Sequence, residues 1–331
     1  MCIVKNNHKK PFINHKPRFF VQKYQPHYQG QRYLGNVQNQ LTTTYQRLSS
    51  GMRINSAKDD AAGLQIADRL TSQINGLNQG NRNASDGIAL AQTIESGMDE
   101  MSGMLQKIRT LAVQASNGTN TLEDRKALSK EASALANEIS RIADQTTFAG
   151  KKILKGYQKT DGIYEAAGQA AKVGSVGQLT LQVGSNKGDT ITFKVGNFAF
   201  SMIASAAGFK AKMEGGAPTQ GKPIGIQASV ITVSFSDAGD NQALIEIMDG
   251  MIAQVDSARA DLGALQNRLE SSIRNQSNVA ANEADARSRI RDADFAEESA
   301  NLSQQSIIQQ AAASMLMQAN TRPQLGLSLL G

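Results

Sequence analysis

One stretch of the sequence decides the fold: GLQIADRLTSQINGLNQGNRNASDGIALAQTIESGMDEMSGMLQKIRTLAVQA at residues 63–115. Apolar and small residues recur in alternating steps of three and four, the spacing that turns one face of a helix toward a partner helix. Sixteen successive positions keep one register, only Gln73 among them is strongly polar, and the stretch has no proline. These positions are Gly63, Ile66, Leu70, Gln73, Leu77, Gly80, Ala84, Gly87, Ala91, Ile94, Met98, Met101, Leu105, Ile108, Ala112 and Ala115. The pattern predicts one helix of about 50 residues, roughly 80 Å long.

The partner faces of this helix are predicted from residue size. Small residues at positions 80, 84, 87 and 91 would let another backbone approach closely, whereas the methionines and leucines further on need a wider partner face. The run Ser-Asn-Gly-Thr-Asn at 116–120 predicts the end of the helix, with Gly118 available for a left-handed cap. A second helix is predicted from about Glu123 to Asp144, which completes an antiparallel helical hairpin.

The same spacing occurs near both ends of the chain. A first set predicts an N-terminal helix and comprises Leu34, Val37, Leu41, Thr44 and Leu48. A second set mirrors the long helix and comprises Leu244, Met248, Met251, Val255, Ala258, Leu262, Leu265 and Leu269. A last amphipathic segment carries Phe295, Leu302, Ile308, Ala311, Met315 and Ala319, and Pro323 is predicted to end its helix near Thr321. We therefore predict a mainly α protein with long antiparallel coiled-coil helices and both chain ends brought together.

Between the helices, the period changes to the alternation that is typical of strands. Residues 179–183 and 191–195 flank a polar turn and predict a β-hairpin. Phe198, Phe200 and Met202 continue the alternation, and a further alternating run, with a shift at 230–231, covers residues 224–235. The block from about 175 to 236 is predicted to be a small β insert.

The net charge of +6 comes from one segment. Residues 1–34 hold seven of the 35 basic residues and no acidic residue, which leaves 28 bases against 29 acids in the rest of the chain. The same segment holds all three histidines and the only cysteine. Three interpretations stay open for this leader: a tail that binds nucleic acid or an anionic surface, a disordered solvated tail, and an error of start codon or reading frame.

Catalytic and metal-binding chemistry finds no support in the residue pattern. There is no histidine after His27, which excludes a Ser-His-Asp triad and a histidine zinc site from the rest of the chain. Lys58-Asp59-Asp60 could be an acid–base or metal pair, but adjacent acids point to different helix faces and are typical of a helix N-terminus. We expect no cofactor, no metal and no nucleic-acid partner. We also expect no membrane insertion, since no apolar run approaches the roughly 18 residues that a spanning helix needs.

The residues that follow the first helix resemble a known family. QRLSSGMRINSAKDDAAG at residues 46–63 resembles the signature ERLSSGLRINSAKDDAAG of bacterial flagellin. The resemblance extends over roughly residues 31–155 and 240–331, through RNASDGIALAQT, LQKIRTLAVQASNGTN, DQTTFAGKKIL and ESANLSQQSIIQQAAASMLMQAN. It implies a non-enzymatic subunit that assembles with copies of itself into the flagellar filament outside the cell. It also implies type III export, and an export chaperone, cap and junction proteins as partners.

The resemblance implies a division of the chain. Residues 1–30 are expected to be an atypical, disordered leader, and 31–57 with 285–331 to be terminal helices of the inner filament core. Residues 58–189 with 241–284 are expected to form the long-helix coiled-coil domain with its β-hairpin, and 190–240 a variable outer β module. The predicted self-assembly core consists of Leu34, Val37, Leu41, Leu48, Ile308, Ala311, Met315 and Leu316. The leader up to residue 29 does not resemble the family's opening, which in this family completes the inner core and aids export.

A host partner is implied by a shorter match. The segment 105–111 is similar to the stretch by which flagellins engage animal Toll-like receptor 5, with Gln106, Ile108, Arg109 and Leu111 retained. Lys107 stands where Arg is usual and loses bidentate donation, and Thr110 replaces an acid. By spacing, Glu131 corresponds to another receptor contact. The predicted receptor contacts are Gln106, Lys107, Arg109, Leu111 and Glu131. The coiled-coil register places Leu105 and Ile108 in the core, so a receptor role rests on exposed neighbours.

Two other functions are weighed against the filament subunit. A hook–filament junction protein would have the same architecture, and the uninterrupted signature favours the filament. A secreted adhesin or host-receptor ligand would act through the outer β module.

Overall fold

The computed structural model describes residues 25–166, 172–208, 213–214, 218, 222–227, 230–235 and 238–328. It divides into two compact units: unit 1, residues 1–70 with 285–331, and unit 2, residues 71–284. Long helices dominate and small sheets lie between them in the sequence, so the predicted mainly α fold class is confirmed. Residues 1–24 of the leader lie outside the described residues, and residues 25–30 belong to the first helix.

Unit 1 pairs the two terminal helices, α1 (Gln25–Ser50) and α6 (Phe295–Ser328). The helix α1 begins nine residues before the predicted start at Leu34, and Val37 and Thr44 on its predicted face are buried. It ends before Gly51, whose φ of 69° favours glycine and whose N–H donates to the carbonyl of Arg47 at 2.8 Å.

The helix α6 runs past Pro323 to Ser328, so the predicted end near Thr321 is wrong. A proline inside a helix removes one hydrogen bond and crowds the preceding turn, at a cost of about 3 kcal/mol, but helical turns can form on both sides of it.

Unit 2 contains most of α2 (Ala61–Ala115) and α5 (Ala238–Arg291), together with α3 (Leu122–Gln145). Asp99 pairs with Arg259 at 3.0 Å and Arg109 with Asp249 at 2.5 Å, so α2 and α5 run antiparallel. From Leu77 to Ala115 the predicted heptad positions are buried, as are all those predicted on α5 except the half-buried Ala258.

The predicted heptad register is wrong at the start of α2. Ile66 is 41% exposed and Gln73 is half-buried, whereas the following residues Ala67 and Ile74 are buried. The buried positions in this part of α2 therefore lie one residue later than the predicted register.

The connection from α2 to α3 has a cap that fixes where α3 begins. Thr121 precedes the helix; its side chain accepts a hydrogen bond from Asp124 N–H, and the Asp124 carboxylate accepts one from Thr121 N–H. This reciprocal arrangement is a capping box. It lowers the pKa of Asp124, because the side-chain and backbone hydrogen bonds from Thr121 favour the carboxylate.

Three small sheets occur among the described residues. The first pairs β1 (Thr147–Phe148) with β2 (Lys151–Lys152). The second has the order β3-β4-β5, and its strands β4 (Gly177–Gln182) and β5 (Thr190–Val195) are the predicted hairpin; β3 is Glu165–Ala166. The third has the order β6-β7-β8, with β6 (Met213–Glu214) parallel to β7 (Ile224–Gln227) and β7 antiparallel to β8 (Val230–Val233).

Two details of the predicted β insert are wrong. Phe200 and Met202 lie on a short helix, α4 (Phe200–Ala206), where Phe200, Ile203 and Ala204 are buried and Met202 is 40% exposed. Three alternating residues are too few to exclude the helical spacing that these buried positions follow. The run 224–235 is two paired strands and not one shifted strand, with Gln227 opposite Val230.

The turn of the β4–β5 hairpin packs closely against two glycines of α2, Gly76 and Gly80. A Cβ on Gly76 would lie 2.6 Å from the Cβ of Ser185, and a Cβ on Gly80 would lie 2.7 Å from the carbonyl carbon of Val183. The predicted close approach of a second backbone to the small residues of this helix is therefore observed at Gly80, and that backbone belongs to a hairpin.

Candidate functional site

Large apolar side chains lie exposed along both helices of the α1–α6 pair. We call the following residues the exposed apolar set: Tyr33 (55%), Tyr45 (55%), Phe295 (67%), Ile307 (66%), Met315 (70%) and Met317 (65%). Singly exposed apolar residues are ordinary on protein surfaces. Because six of them lie on one helix pair, this pair is the candidate surface for an interaction.

The predicted self-assembly residues divide between the seam of this pair and its outside. Val37 is buried and Leu34, Leu41 and Leu48 are half-buried. On α6, Ile308 and Leu316 are half-buried, and Leu316 lies against Gly30, where an added Cβ would be 2.9 Å from its Cδ1. Ala311 and Met315 are exposed.

Polar contacts that the sequence reasoning missed join the two helices. The guanidinium of Arg47 donates from Nη1 to Glu298 Oε1 at 2.9 Å, and the Glu298 side chain is only 8% exposed. Thr44 donates to Gln305 Oε1 at 3.2 Å. Arg47 lies inside the signature segment, but its partner is 251 residues away, so no local pattern indicates the pair.

The signature segment, residues 46–63, covers the end of α1, the connection to α2 and the first residues of α2. Arg53 donates to the carbonyl of Ile290 at 2.8 Å, and Ile54 is 2% exposed. The Asp59 carboxylate accepts hydrogen bonds from the N–H groups of Asn55 and Ser56, and these bonds lower its pKa, those from Ser56 most. Asp60 accepts a hydrogen bond from Gly63 N–H at 2.9 Å at the start of α2.

Asp59 and Asp60 therefore each accept hydrogen bonds from backbone N–H groups, as expected of acids near a helix N-terminus. Within the described ranges, no group of three or more histidine, cysteine, aspartate or glutamate side chains could hold a metal ion. Nor does any helix in the described part of the chain combine the length and apolarity needed to cross a membrane.

A second surface contains the predicted receptor contacts on α2 and α3. Gln106 and Lys107 are exposed, and Lys107 Nζ lies 2.9 Å from Glu131 Oε1, so the structure brings two of the predicted residues together. Arg109 forms a pair with Asp249 that raises the pKa of its guanidinium, mainly through the hydrogen bond. Leu111 is 7% exposed and packs in the core, so it does not offer its side chain to a partner.

The fold and its surfaces define a long-helix coiled-coil protein whose terminal helices pair and leave apolar side chains exposed. Residues 21–159 match the model of the bacterial flagellin N-terminal helical region, and residues 245–330 match that of the C-terminal helical region. The chain is 35% identical to flagellin A and 37% identical to flagellin B of Vibrio cholerae, in each case over 91% of this chain and 96% of the relative. The chain belongs to the bacterial flagellin family, whose members are structural subunits of the flagellar filament.

One solved structure shows the same fold, and a second is less similar. A putative flagellar hook-associated protein from Vibrio parahaemolyticus matches with a TM-score of 0.51 at 16% identity, over 71% of this chain and all of that one. Bacillus cereus flagellin matches with a TM-score of 0.41 at 25% identity, over 61% and 94%. The junction-protein alternative is not favoured, because the likeness to the hook-associated protein is one of fold alone, whereas the relatives at 34–37% identity are flagellins.

Proposed function

We propose that this chain polymerises outside the cell through its α1–α6 pair and that it has no catalytic role. Residues 31–57 and 285–331 would form the inner filament core, residues 58–189 and 241–284 the next layer, and residues 190–240 an outward module. Export chaperone, cap and junction proteins are the further partners that family membership suggests.

The observation that carries this proposal is the exposed apolar set on α1 and α6. Full burial of one large apolar side chain contributes about 1.5–3 kcal/mol, and several such residues lie on each copy. Contacts between different surfaces of successive copies do not close and therefore build an open helical filament. Because copies bind only the folded pair, assembly also stabilises α1 and α6 by mass action.

The test is seeded polymerisation of Met315→Glu, with Val230→Glu as its matched control. Both substitutions place a carboxylate at an exposed apolar position, 70% exposed on α6 and 56% exposed on β8. We expect Met315→Glu to keep its helical circular dichroism but to fail to elongate short filament fragments under the electron microscope, and Val230→Glu to elongate them. Elongation by Met315→Glu at the parent rate would contradict the proposal.

The proposed location and lack of catalysis have simpler tests. Mechanical shearing of cells that express the chain should release it with the filament fraction. Retention in the cell pellet would contradict extracellular assembly, and reproducible turnover of any substrate by the purified chain would contradict a purely structural role.

We propose further that Gln106, Lys107, Arg109 and Glu131 contribute a contact with host Toll-like receptor 5. The exposure of Gln106 and the Lys107–Glu131 pair support this role. Gln106→Ala and Lys107→Ala should weaken signalling in reporter cells that carry the receptor, whereas Lys126→Ala, an exposed change on α3, should not. Equal signalling by all three variants would remove the proposed contact.

A further inference from the structure

Three side chains on one face of α3 form hydrogen bonds with the backbone of β8 and of Phe235, two residues beyond the strand. Ile231 N–H donates to Asn137 Oδ1, and Asn137 Nδ2 donates back to the Ile231 carbonyl, both at 2.8 Å. The N–H of Val233 donates to Ser133 Oγ at 2.8 Å, and that of Phe235 to Ser129 Oγ at 2.9 Å. We call Ser129, Ser133 and Asn137 the α3 ladder.

The ladder fits the strand because two repeats nearly coincide. Four residues of an α-helix rise about 6.0 Å, and two residues of an antiparallel strand span about 6.8 Å. Over the two steps of the ladder, the mismatch is only about 1.6 Å, which hydrogen bonds can absorb. Side chains four residues apart on α3 therefore meet every second N–H of the strand, as a neighbouring strand would.

The other side of β8 is bonded to β7. Val230 pairs with Gln227, Thr232 pairs with Gly225, and Ser234 N–H donates to the Pro223 carbonyl at 2.8 Å. In the order β6-β7-β8, β8 is an edge strand, and the ladder occupies the edge that faces away from β7.

The sequence of this edge makes its closure important. Residues 230–235 read VITVSF; five of the six have high strand propensity, and the run has no charge, no proline and no glycine. Such segments pair with copies of themselves when their backbone is open. Val230, at the start of the strand, is 56% exposed and carries no charge. The native chain therefore has no charged side chain at this position to oppose pairing.

We propose that the α3 ladder closes the edge of β8 and thereby prevents this strand from pairing with β8 of a second copy of the chain. In this view, Ser129, Ser133 and Asn137 stand in for a strand and keep the latent pairing surface of the sheet covered.

The test removes the ladder while keeping α3 helical. Ser133→Ala with Asn137→Ala deletes hydrogen bonds to Ile231 and Val233, and alanine is a better helix former than either residue, so α3 itself is not weakened. Ser140→Ala, outside the ladder on the same helix, is the matched control, and Ser133→Thr retains a hydroxyl. Ser133→Ala alone removes only the bond to Val233 and is the milder variant should the double variant lose its fold.

Two measurements on the full chain decide the matter. Hydrogen exchange of the Ile231 and Val233 amides should accelerate tenfold or more in the double variant, and light scattering at increasing concentration should show association beyond that of the parent chain. Adding Val230→Lys, a charge beside the open edge, should abolish the excess association. Unchanged exchange in both ladder variants overturns the proposal, as does faster exchange without excess association, or excess association that Val230→Lys leaves intact. Because the readout is excess over the parent, it stands whether or not the parent forms filaments.

Discussion

Replacement of Gly80 by alanine tests the packing of the β4–β5 hairpin on α2 against a control in the same helix. Gly80 faces the carbonyl group of Val183, whereas a Cβ on Gly103 would have nothing within 4 Å. Both glycines lie inside α2, where alanine is favoured over glycine by about 1 kcal/mol. Gly80→Ala and Gly103→Ala therefore share the gain in helix propensity and differ only in the space available.

The cost at Gly80 follows from the distances. An added Cβ would clash first with the Val183 carbonyl oxygen and would lie 2.7 Å from the carbonyl carbon, whereas ordinary contacts begin at 3.4 Å, so the hairpin backbone must move by more than 3.4 − 2.7 = 0.7 Å. Overpacking of this kind costs about 1–3 kcal/mol. Gly103→Ala should thus be more stable than the parent by about 1 kcal/mol, and Gly80→Ala less stable than Gly103→Ala by about 1–3 kcal/mol.

Thermal unfolding of the unassembled chain, followed by circular dichroism, measures this difference. For a unit of 284 − 71 + 1 = 214 residues, each kcal/mol shifts Tm by about 2–4 °C, so the two variants should differ by about 2–12 °C. In Gly80→Ala, the amide of Val183, which donates to the Asp189 carbonyl at 2.9 Å, should also exchange faster. Equal Tm values for the two variants would refute the close approach of hairpin and helix.

Two further predictions concern unit 1 and low pH. Arg47→Ala leaves the Glu298 carboxylate buried without its cation and should lower the free energy of unfolding by about 1–3 kcal/mol in chemical denaturation. Lys126→Ala is the control, because it breaks an exposed ion pair worth about 0.5 kcal/mol. A loss in Arg47→Ala no larger than that in Lys126→Ala would show that the Arg47–Glu298 pair does not stabilise the fold. Hydrogen bonds lower the pKa of Asp59 and of Asp124 below the usual 3.8, so both stabilise the folded chain above that pH, and this contribution disappears as the pH falls through their folded values. Asp124→Asn should accordingly weaken the dependence of stability on pH below 3.8, and an unchanged acid titration would contradict this assignment.

The long helices could be predicted because their information is local and periodic. From Leu77 onward, the heptad positions of α2 identify its buried face residue by residue, and the glycines at 80 and 87 indicate a close approach. The segment that packs on these glycines could not be predicted. The hairpin lies about 100 residues later in the sequence, and its alternating pattern does not indicate that it packs on a helix.

The contacts missed by the sequence reasoning join distant segments through single polar side chains. Arg47 and Glu298 are 251 residues apart, and Asn137 and Ile231 are 94 apart. Serine and asparagine on α3 read as ordinary exposed helix residues, and only the position of β8 gives them a role. The helix α4 was missed for a different reason, since three alternating apolar residues fit either period.

Hydrogen bonds within the chain give the signature segment a structural role that fits a motif so specific in sequence. Several of its polar groups are engaged within the chain: Arg47 with Glu298, Arg53 with the Ile290 carbonyl, Asp59 with the Asn55 and Ser56 amides, and Asp60 with Gly63. Because these polar groups already form hydrogen bonds within the chain, they stabilise the segment itself and would gain little free energy from contacts with a partner. The exposed apolar set on α1 and α6 differs from these groups, since each of its residues is 55–70% exposed in the single chain and burial against further copies would stabilise it. The polar groups of the segment therefore hold the chain's own fold together, and the exposed residues of α1 and α6 would supply the surface for assembly.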